Sequence, residues 1–257
     1  MIELIDLTLV PTFMLVFARL LAFFITVPFF SYRTIPTPYR IGFAFFLSLI
    51  VTATFAEPLD MTLPYFVLLV KEIAVGLFIG LIAYMVMSIV QIAGGFIDFQ
   101  MGFAIANVID PQTGAQSPII GQFFYMFAIL FLLATDGHHL LINGILHSYN
   151  VIPLERLLNF SGNYAELIIS TFNRIFVIAF QIALPLVGSL FLVDVALGII
   201  ARTVPQVNVF VVGLPLKITV SFSVLFFFMA IYLMAARLLF QTMFEVMDQL
   251  MLILGGG

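Results

Sequence analysis

The chain contains 257 residues, of which 63% are hydrophobic and only 9% are charged. Soluble domains are about half apolar and about a quarter charged, so this composition predicts an integral membrane protein without a second, soluble domain. The chain has no cysteine, which excludes disulfides, thiolate metal sites and thiol catalysis, and its net charge of −4 without a basic cluster argues against nucleic acid as a partner.

The first two apolar runs are separated by a proline-containing turn. Residues 7–30 form the first run, which carries Arg19, and Pro36 and Pro38 prevent a helix from continuing across the segment that follows. The second run, residues 41–56, is about one helical turn shorter than a comfortable membrane span. Runs this short suggest a subunit of a larger assembly or a transporter with broken helices.

The third run, Met61 to Ile92, is predicted to be a membrane helix although it contains Lys71 and Glu72. A charge in hydrocarbon costs roughly 2.5–3.5 kcal/mol on insertion scales, so such residues face protein or water. Because adjacent helical residues point about 100° apart, we expect these two to pair poorly with each other and to find partners in neighbouring helices or subunits. The alternative for Lys71 is that its ammonium group reaches the membrane interface.

Small residues and a polar loop follow. Gly76 and Gly80 have the spacing that permits close approach of two helix backbones. The chain then becomes glycine-rich and polar, and the segment 107–118 is its most polar stretch. Its prolines and glycine predict a loop, and its polarity excludes contact with lipid. The positions of interest in it are Asn107, Asp110, Pro111, Gln112, Thr113, Gly114, Gln116, Ser117 and Pro118.

A second turn closes the apolar run 119–134. We expect Asp136 to cap the next helix and Gly137 to adopt a positive φ angle. His138 and His139 are adjacent and cannot easily share a metal ion, and no metal-binding spacing is present, so no metal site and no cofactor is predicted.

The last third of the chain contains two long apolar runs. Residues 165–200 form either one helix kinked at Pro185 or a re-entrant pair. A polar break follows at 202–208, and a further run, 209–240, leads into an amphipathic tail. The break separates these runs because its proline cannot continue a helix.

One helical stripe in the first of these runs carries an acid, a small residue and a base, at Asp194, Gly198 and Arg202. The acid could bind a proton or cation, or it could anchor a neighbouring helix through a buried ion pair, and we prefer the structural role. The residues predicted to lie at intramembrane or inter-subunit polar contacts are Lys71, Glu72, Gly94, Gly95, Asp98, Asp136, Asp194, Arg202, Pro205, Gln206 and Asn208.

In their order along nearly the whole chain, these motifs resemble the FliR family of flagellar biosynthetic proteins, which includes the homologous subunit of virulence type III secretion systems. The motifs are Arg19 with Pro28, Ile35-Pro36, Arg40, Lys71-Glu72, Gly76 with Gly80, Ala93-Gly94-Gly95, Asp98 with Gln100 and Gly102, Asp110-Pro111, Asp136-Gly137-His138, Ala183-Leu184-Pro185, Asp194 with Gly198, and Arg202 through Phe210.

The resemblance implies an all-α polytopic membrane protein with kinked and broken helical hairpins, which forms one subunit of a helical export-gate assembly. It implies a single domain over 1–257, with a FliP-like N-terminal part and a FliQ-like C-terminal part. The implied function is non-enzymatic: with FliP- and FliQ-like subunits the chain would form the channel for unfolded flagellar proteins, in the bacterial inner membrane at the flagellar basal body. An FlhB-like protein would surround the cytoplasmic entrance, and the loop 107–118 would plug the pore.

Three alternatives remain. An intramembrane enzyme would need a convergent catalytic pair, and no such pair is present in the sequence. A virulence type III secretion subunit would carry the same motifs. A secondary transporter would use Glu72, Asp98 or Asp194 as coupling-ion ligands at broken helices, but it predicts an internal repeat, which the sequence does not display.

Overall fold

A computed structural model describes residues 7–31, 35–54, 63–103, 118–158, 162–206 and 208–256. Within these residues the fold is entirely helical, and a single 3-10 turn, Leu7–Leu9, precedes the first α-helix. The α-helices are α1 (Val10–Thr26), α2 (Thr37–Thr52), α3 (Tyr65–Met101), α4 (Ile119–Ala134), α5 (Gly137–Val151), α6 (Tyr164–Thr203) and α7 (Val209–Gly255).

Three of the described helices, α3, α6 and α7, are long and apolar enough to cross a membrane. A fourth crossing is available if α4 and α5, which meet at a bend of 75°, count as one broken span. Helices α1 and α2 are apolar but have only 17 and 16 residues, less than the roughly 20 that a bilayer core requires. The prediction of an all-α polytopic membrane protein is therefore confirmed.

Several helix bounds differ from those predicted. Helix α3 begins at Tyr65 and continues through Gly94 and Gly95 to Met101, where the sequence suggested a polar glycine-rich stretch. The glycines are compatible with the helix because Gly94 packs against another backbone. Residues 165–200 lie in one helix with Pro185 inside it, which decides against the re-entrant pair. The amphipathic tail is the C-terminal end of α7.

The chain divides into two compact units that are interleaved in sequence. Unit 1 comprises Met1–Val86, Asp136–Thr171 and Gln241–Gly257, and unit 2 comprises Met87–Thr135 and Phe172–Phe240. Helices α3, α6 and α7 each contribute to both units. The division into a FliP-like N-terminal part and a FliQ-like C-terminal part is a different partition, and it stays a prediction.

In unit 1, the core forms where α3 crosses α1 at two glycines. A Cβ atom on Gly76 would overlap the carbonyl oxygen of Arg19, and one on Gly80 would overlap the hydroxyl of Thr26. The two backbones approach closely at this crossing, as the glycine spacing predicted. The fully buried apolar residues of α1 are Leu15, Val16, Leu20, Phe23 and Phe24.

In unit 2, α4 packs between α3 and α7. A Cβ atom on Gly94 would overlap the backbone of Gly121 in α4. On α7, Tyr232 stacks on Phe124 with ring centroids 4.4 Å apart, and its hydroxyl donates to the carbonyl oxygen of Phe124 at 2.5 Å. The hydroxyl thus finds a partner inside an apolar core, which a buried tyrosine requires.

The long helices differ in how much of their apolar surface the chain itself covers. In the most apolar segment of α3, 56% of the residues are buried, whereas the corresponding fractions are 33% in α6 and 22% in α7. On α7, Phe226 and Phe227 are each 76% exposed. Apolar area of this extent is covered in a membrane protein by lipid or by other subunits.

Candidate functional sites: two polar clusters inside the helices

Unit 1 encloses a cluster of three ionisable side chains, Arg19 on α1 and Lys71 and Glu72 on α3. Their exposed fractions are 0%, 5% and 0%. Nε and Nη2 of Arg19 donate to the two carboxylate oxygens of Glu72, the latter at 3.0 Å, so the pair is bidentate. Nζ of Lys71 lies 2.5 Å from Oε1 of Glu72. One carboxylate thus neutralises part of the charge of two cations.

Arg19 also binds the C-terminal end of α5, and Lys71 binds the segment that follows it. Arg19 donates to Oγ of Ser148 at 3.0 Å and to the carbonyl oxygen of Ile152 at 2.9 Å, and its guanidinium lies 4.2 Å from the ring centroid of Tyr149. Nζ of Lys71 donates to the carbonyl oxygens of Pro153, Leu154 and Arg156 at 2.9, 2.9 and 3.1 Å. The carbonyls at a helix C-terminus lack helical donors and carry partial negative charge, so cations are the partners they favour.

These contacts correct one prediction about the pair and support another. The expectation that Lys71 and Glu72 pair poorly because they are adjacent is wrong, since the flexible four-carbon stem of lysine brings its ammonium back to the carboxylate. The ammonium is enclosed by carbonyl groups inside the unit. Glu72 has a partner in a neighbouring helix, Arg19 on α1, and Lys71 has partners in the segment that follows α5. The sequence reasoning missed Arg19 as the partner of Glu72, although single opposite charges in two apolar runs signal such a pair.

Unit 2 contains a second cluster, formed by Gln100 on α3, Asp194 on α6 and Lys217 on α7. Nζ of Lys217 lies 2.5 Å from Oδ1 of Asp194, and Nε2 of Gln100 donates to Oδ2 of Asp194 at 2.8 Å. Lys217 also donates to the carbonyl oxygen of Gln100 at 3.4 Å. The side chains of Asp194 and Lys217 are 37% and 19% exposed, so this cluster is only partly shielded.

Asp194 pairs with a neighbouring helix and not with the base of its own helical stripe. Arg202 lies two turns further along α6 and is exposed, and it makes no ion pair with Asp194 among the described residues. Two helical turns separate the side chains by about 11 Å, too far for direct contact. The structural role preferred for Asp194, an ion pair to a neighbouring helix, is realised through Lys217 on α7, whose identity the stripe did not reveal.

Asp98 belongs to α3 and is 2% exposed. Its side chain lies against the N-terminus of α4. Its Oδ1 accepts a hydrogen bond from the backbone N–H of Ile120 at 3.2 Å, and its Oδ2 has no hydrogen-bond partner among the described residues. A carboxylate near the first turn of a helix interacts favourably with the free N–H groups there. Pro118 precedes this helix and lies 3.6 Å from a Cβ placed on Gly95. Asp98 therefore joins the end of α3 to the start of α4.

The backbone conformation of the turn before α5, at Asp136, differs from the predicted one. The φ angle of this residue is +55°, so the left-handed conformation belongs to Asp136, and Gly137 is not among the described residues with positive φ. Aspartate tolerates this region better than most residues because of its short polar side chain. Nδ1 of His139 lies 3.7 Å from Oδ1 of Asp136, and the potential ligand atoms of these two residues and His138 lie within 4.8 Å of one another. The site is exposed and sits at a helix N-terminus, where the helix dipole disfavours a cation.

Comparison with known proteins identifies the family. The family model described as "Bacterial export proteins, family 1" matches residues 10–243. The flagellar biosynthetic protein FliR of Bacillus subtilis is 54% identical, over 96% of this chain and 97% of that protein. FliR of Pectobacterium carotovorum is 30% identical over 91% and 90% of the two chains, and FliR of Escherichia coli is 28% identical over 89% and 88%. The chain belongs to the FliR family.

Membership in the FliR family confirms the resemblance found in the motifs and places the chain among proteins of flagellar biosynthesis and protein export.

The remaining predicted positions lie near the turn between α6 and α7. Pro205 and Gln206 form that turn and are exposed, and Oδ1 of Asn208 accepts from the backbone N–H of Val211 at 3.4 Å, at the start of α7. The positions predicted for the pore plug, Asn107 to Ser117, lie outside the described residues.

Proposed function

We propose that this chain is a non-enzymatic core subunit of the flagellar type III protein export gate. With FliP- and FliQ-like proteins it forms the channel through which unfolded flagellar proteins leave the cytoplasm, and an FlhB-like protein lies at the cytoplasmic entrance. The assembly sits in the inner membrane, at the basal body of the flagellum. The observation that carries the proposal is the 54% identity to FliR of Bacillus subtilis over 96% of the chain.

Two features of the fold support a subunit over a protein that works alone. The chain covers only 33% and 22% of the most apolar segments of α6 and α7, which leaves wide surfaces for lipid and for neighbouring subunits. Two of the three acidic residues that a transporter would offer to a coupling ion are already engaged: Glu72 binds Arg19 and Lys71, and Asp194 binds Lys217. The third, Asp98, accepts a backbone N–H at the start of α4. Coupling-ion sites need carboxylates whose charge is not compensated by fixed cations.

Co-expression tests the proposal. The tagged chain is produced in a membrane with and without its FliP- and FliQ-like partners, and it is purified in mild detergent. We expect co-purification of both partners at constant ratio, and poor yield of the chain alone because its apolar surfaces lack their cover. Gly42→Ala serves as a control variant, since no atom lies within 4 Å of the Cβ position there. A monodisperse, stable chain that gains nothing from the partners would favour a transporter instead.

A further inference from the structure

We infer that the face of unit 2 that carries Gln100, Asp194 and Lys217 borders water inside the assembled gate, and that it lines part of the aqueous path. This inference deepens the proposed function and rests on it. The starting point is the position of the cluster: it lies in three helices of membrane-spanning length, yet its ion pair is partly open to the surroundings. A partly open charge pair cannot lie against hydrocarbon without a cost of a few kcal/mol.

The hydrogen bonds within the cluster leave several polar positions available. Among the described residues, the ammonium of Lys217 uses two of its three N–H groups, toward Asp194 and toward the Gln100 carbonyl. Toward the described residues, the side-chain amide of Gln100 uses one of its two N–H groups, to Asp194. Each carboxylate oxygen of Asp194 has one partner among the described residues and can accept a second. Water satisfies all of these positions at once, whereas hydrocarbon satisfies none.

The buried cluster of unit 1 provides the internal contrast. There the ammonium of Lys71 has four oxygen neighbours for its three N–H groups, and the side chains are at most 5% exposed. Every nitrogen of the two cations has a partner inside that unit. The same chain therefore encloses one charged cluster completely and leaves the other partly open, which is the distinction expected between an anchor and a wetted surface.

The surface next to Asp194 also has room for water. Gly198 lies one turn further along the same side of α6, and among the described residues no atom outside its immediate helix backbone lies within 4 Å of its Cβ position. Ala201, a further turn along, is small and exposed. The adjacent Ile199 is 60% exposed and points about 100° away from Gly198. One helix thus offers small residues next to Asp194 and a bulky apolar residue on another side at nearly the same depth.

The natural lack of cysteine makes this arrangement testable by single-cysteine labelling. Gly198→Cys probes the inferred wet side, and Ile199→Cys is the matched control at nearly the same depth on the apolar side. Each variant is assembled with its FliP- and FliQ-like partners in membrane vesicles and treated with a charged methanethiosulfonate. Because only the thiolate reacts, and it forms in water, we expect labelling at position 198 to be about tenfold faster than at position 199.

The outcomes separate this inference from the proposed function. Labelling at position 198 that is no faster than at position 199, in a complex that contains both partners, would overturn the wet face and leave the subunit role intact. Failure of the unmodified chain to co-purify with its partners would overturn the subunit role itself. Ala201→Cys provides a second probe if Gly198→Cys does not assemble, and equal rates at positions 201 and 199 would likewise overturn the inference.

Discussion

The cluster of Arg19, Lys71 and Glu72 in unit 1 and the cluster of Gln100, Asp194 and Lys217 in unit 2 both place opposite charges within apolar helices. In unit 1 the side chains are at most 5% exposed, and backbone carbonyls add to the coordination of the cations. In unit 2 the side chains of Lys217 and Asp194 are 19% and 37% exposed, and each oxygen of Asp194 has a single partner among the described residues. Enclosure marks a structural anchor, and partial exposure marks a surface in contact with water or with another subunit.

Because the two clusters differ in enclosure, we expect the loss of a charge to destabilise them to different degrees. The largest effect is expected for Glu72→Gln, which retains the size of the side chain but leaves Arg19 and Lys71 buried without a carboxylate. Removing one partner of a buried ion pair costs about 3–5 kcal/mol. Thermal unfolding of the purified assembly in detergent measures the loss. Glu155→Gln, at an exposed carboxylate of the same unit, is the control and should leave the transition unchanged. Equal transitions for the two variants would mean that the cluster does not anchor unit 1.

A second, smaller effect tests how closely α3 and α4 approach in unit 2. Gly94→Ala places a methyl group into the backbone of Gly121, whereas Gly95→Ala meets only Pro118, at an ordinary 3.6 Å. Overpacking of this kind costs about 1–3 kcal/mol, and alanine in an open helical position gains up to about 1 kcal/mol over glycine. We therefore expect Gly94→Ala to lower the unfolding temperature and Gly95→Ala to hold or raise it. The reverse order would contradict the described helix crossing.

Much of this architecture was accessible from the sequence, and what was missed has a common cause. Composition and run length identified a membrane protein, and the spacing of Gly76 and Gly80 predicted close approach of a second helix, which the structure shows to be α1. The partners of Glu72 and Asp194 were missed because they lie in other helices, and periodicity along one helix carries no information about which helices become neighbours. The positive φ angle was assigned to Gly137 instead of Asp136, because glycine is the usual residue in that region and aspartate a less frequent one.

The smallest effect on stability is expected for Asp194→Asn. The substitution retains shape and hydrogen bonding to Gln100 but removes the charge that faces Lys217. Because the pair is partly exposed, solvent screening limits its contribution to about 0–1 kcal/mol. We expect normal assembly and nearly normal export, measured as motility and as secreted flagellar protein in cells that carry only the variant. A double-mutant cycle with Lys217→Met isolates the pairwise term, which should lie within the same range. If Asp194→Asn abolished export while the assembly formed in full yield, the carboxylate would have a role linked to protons or cations, and its ion pair with Lys217 would be secondary.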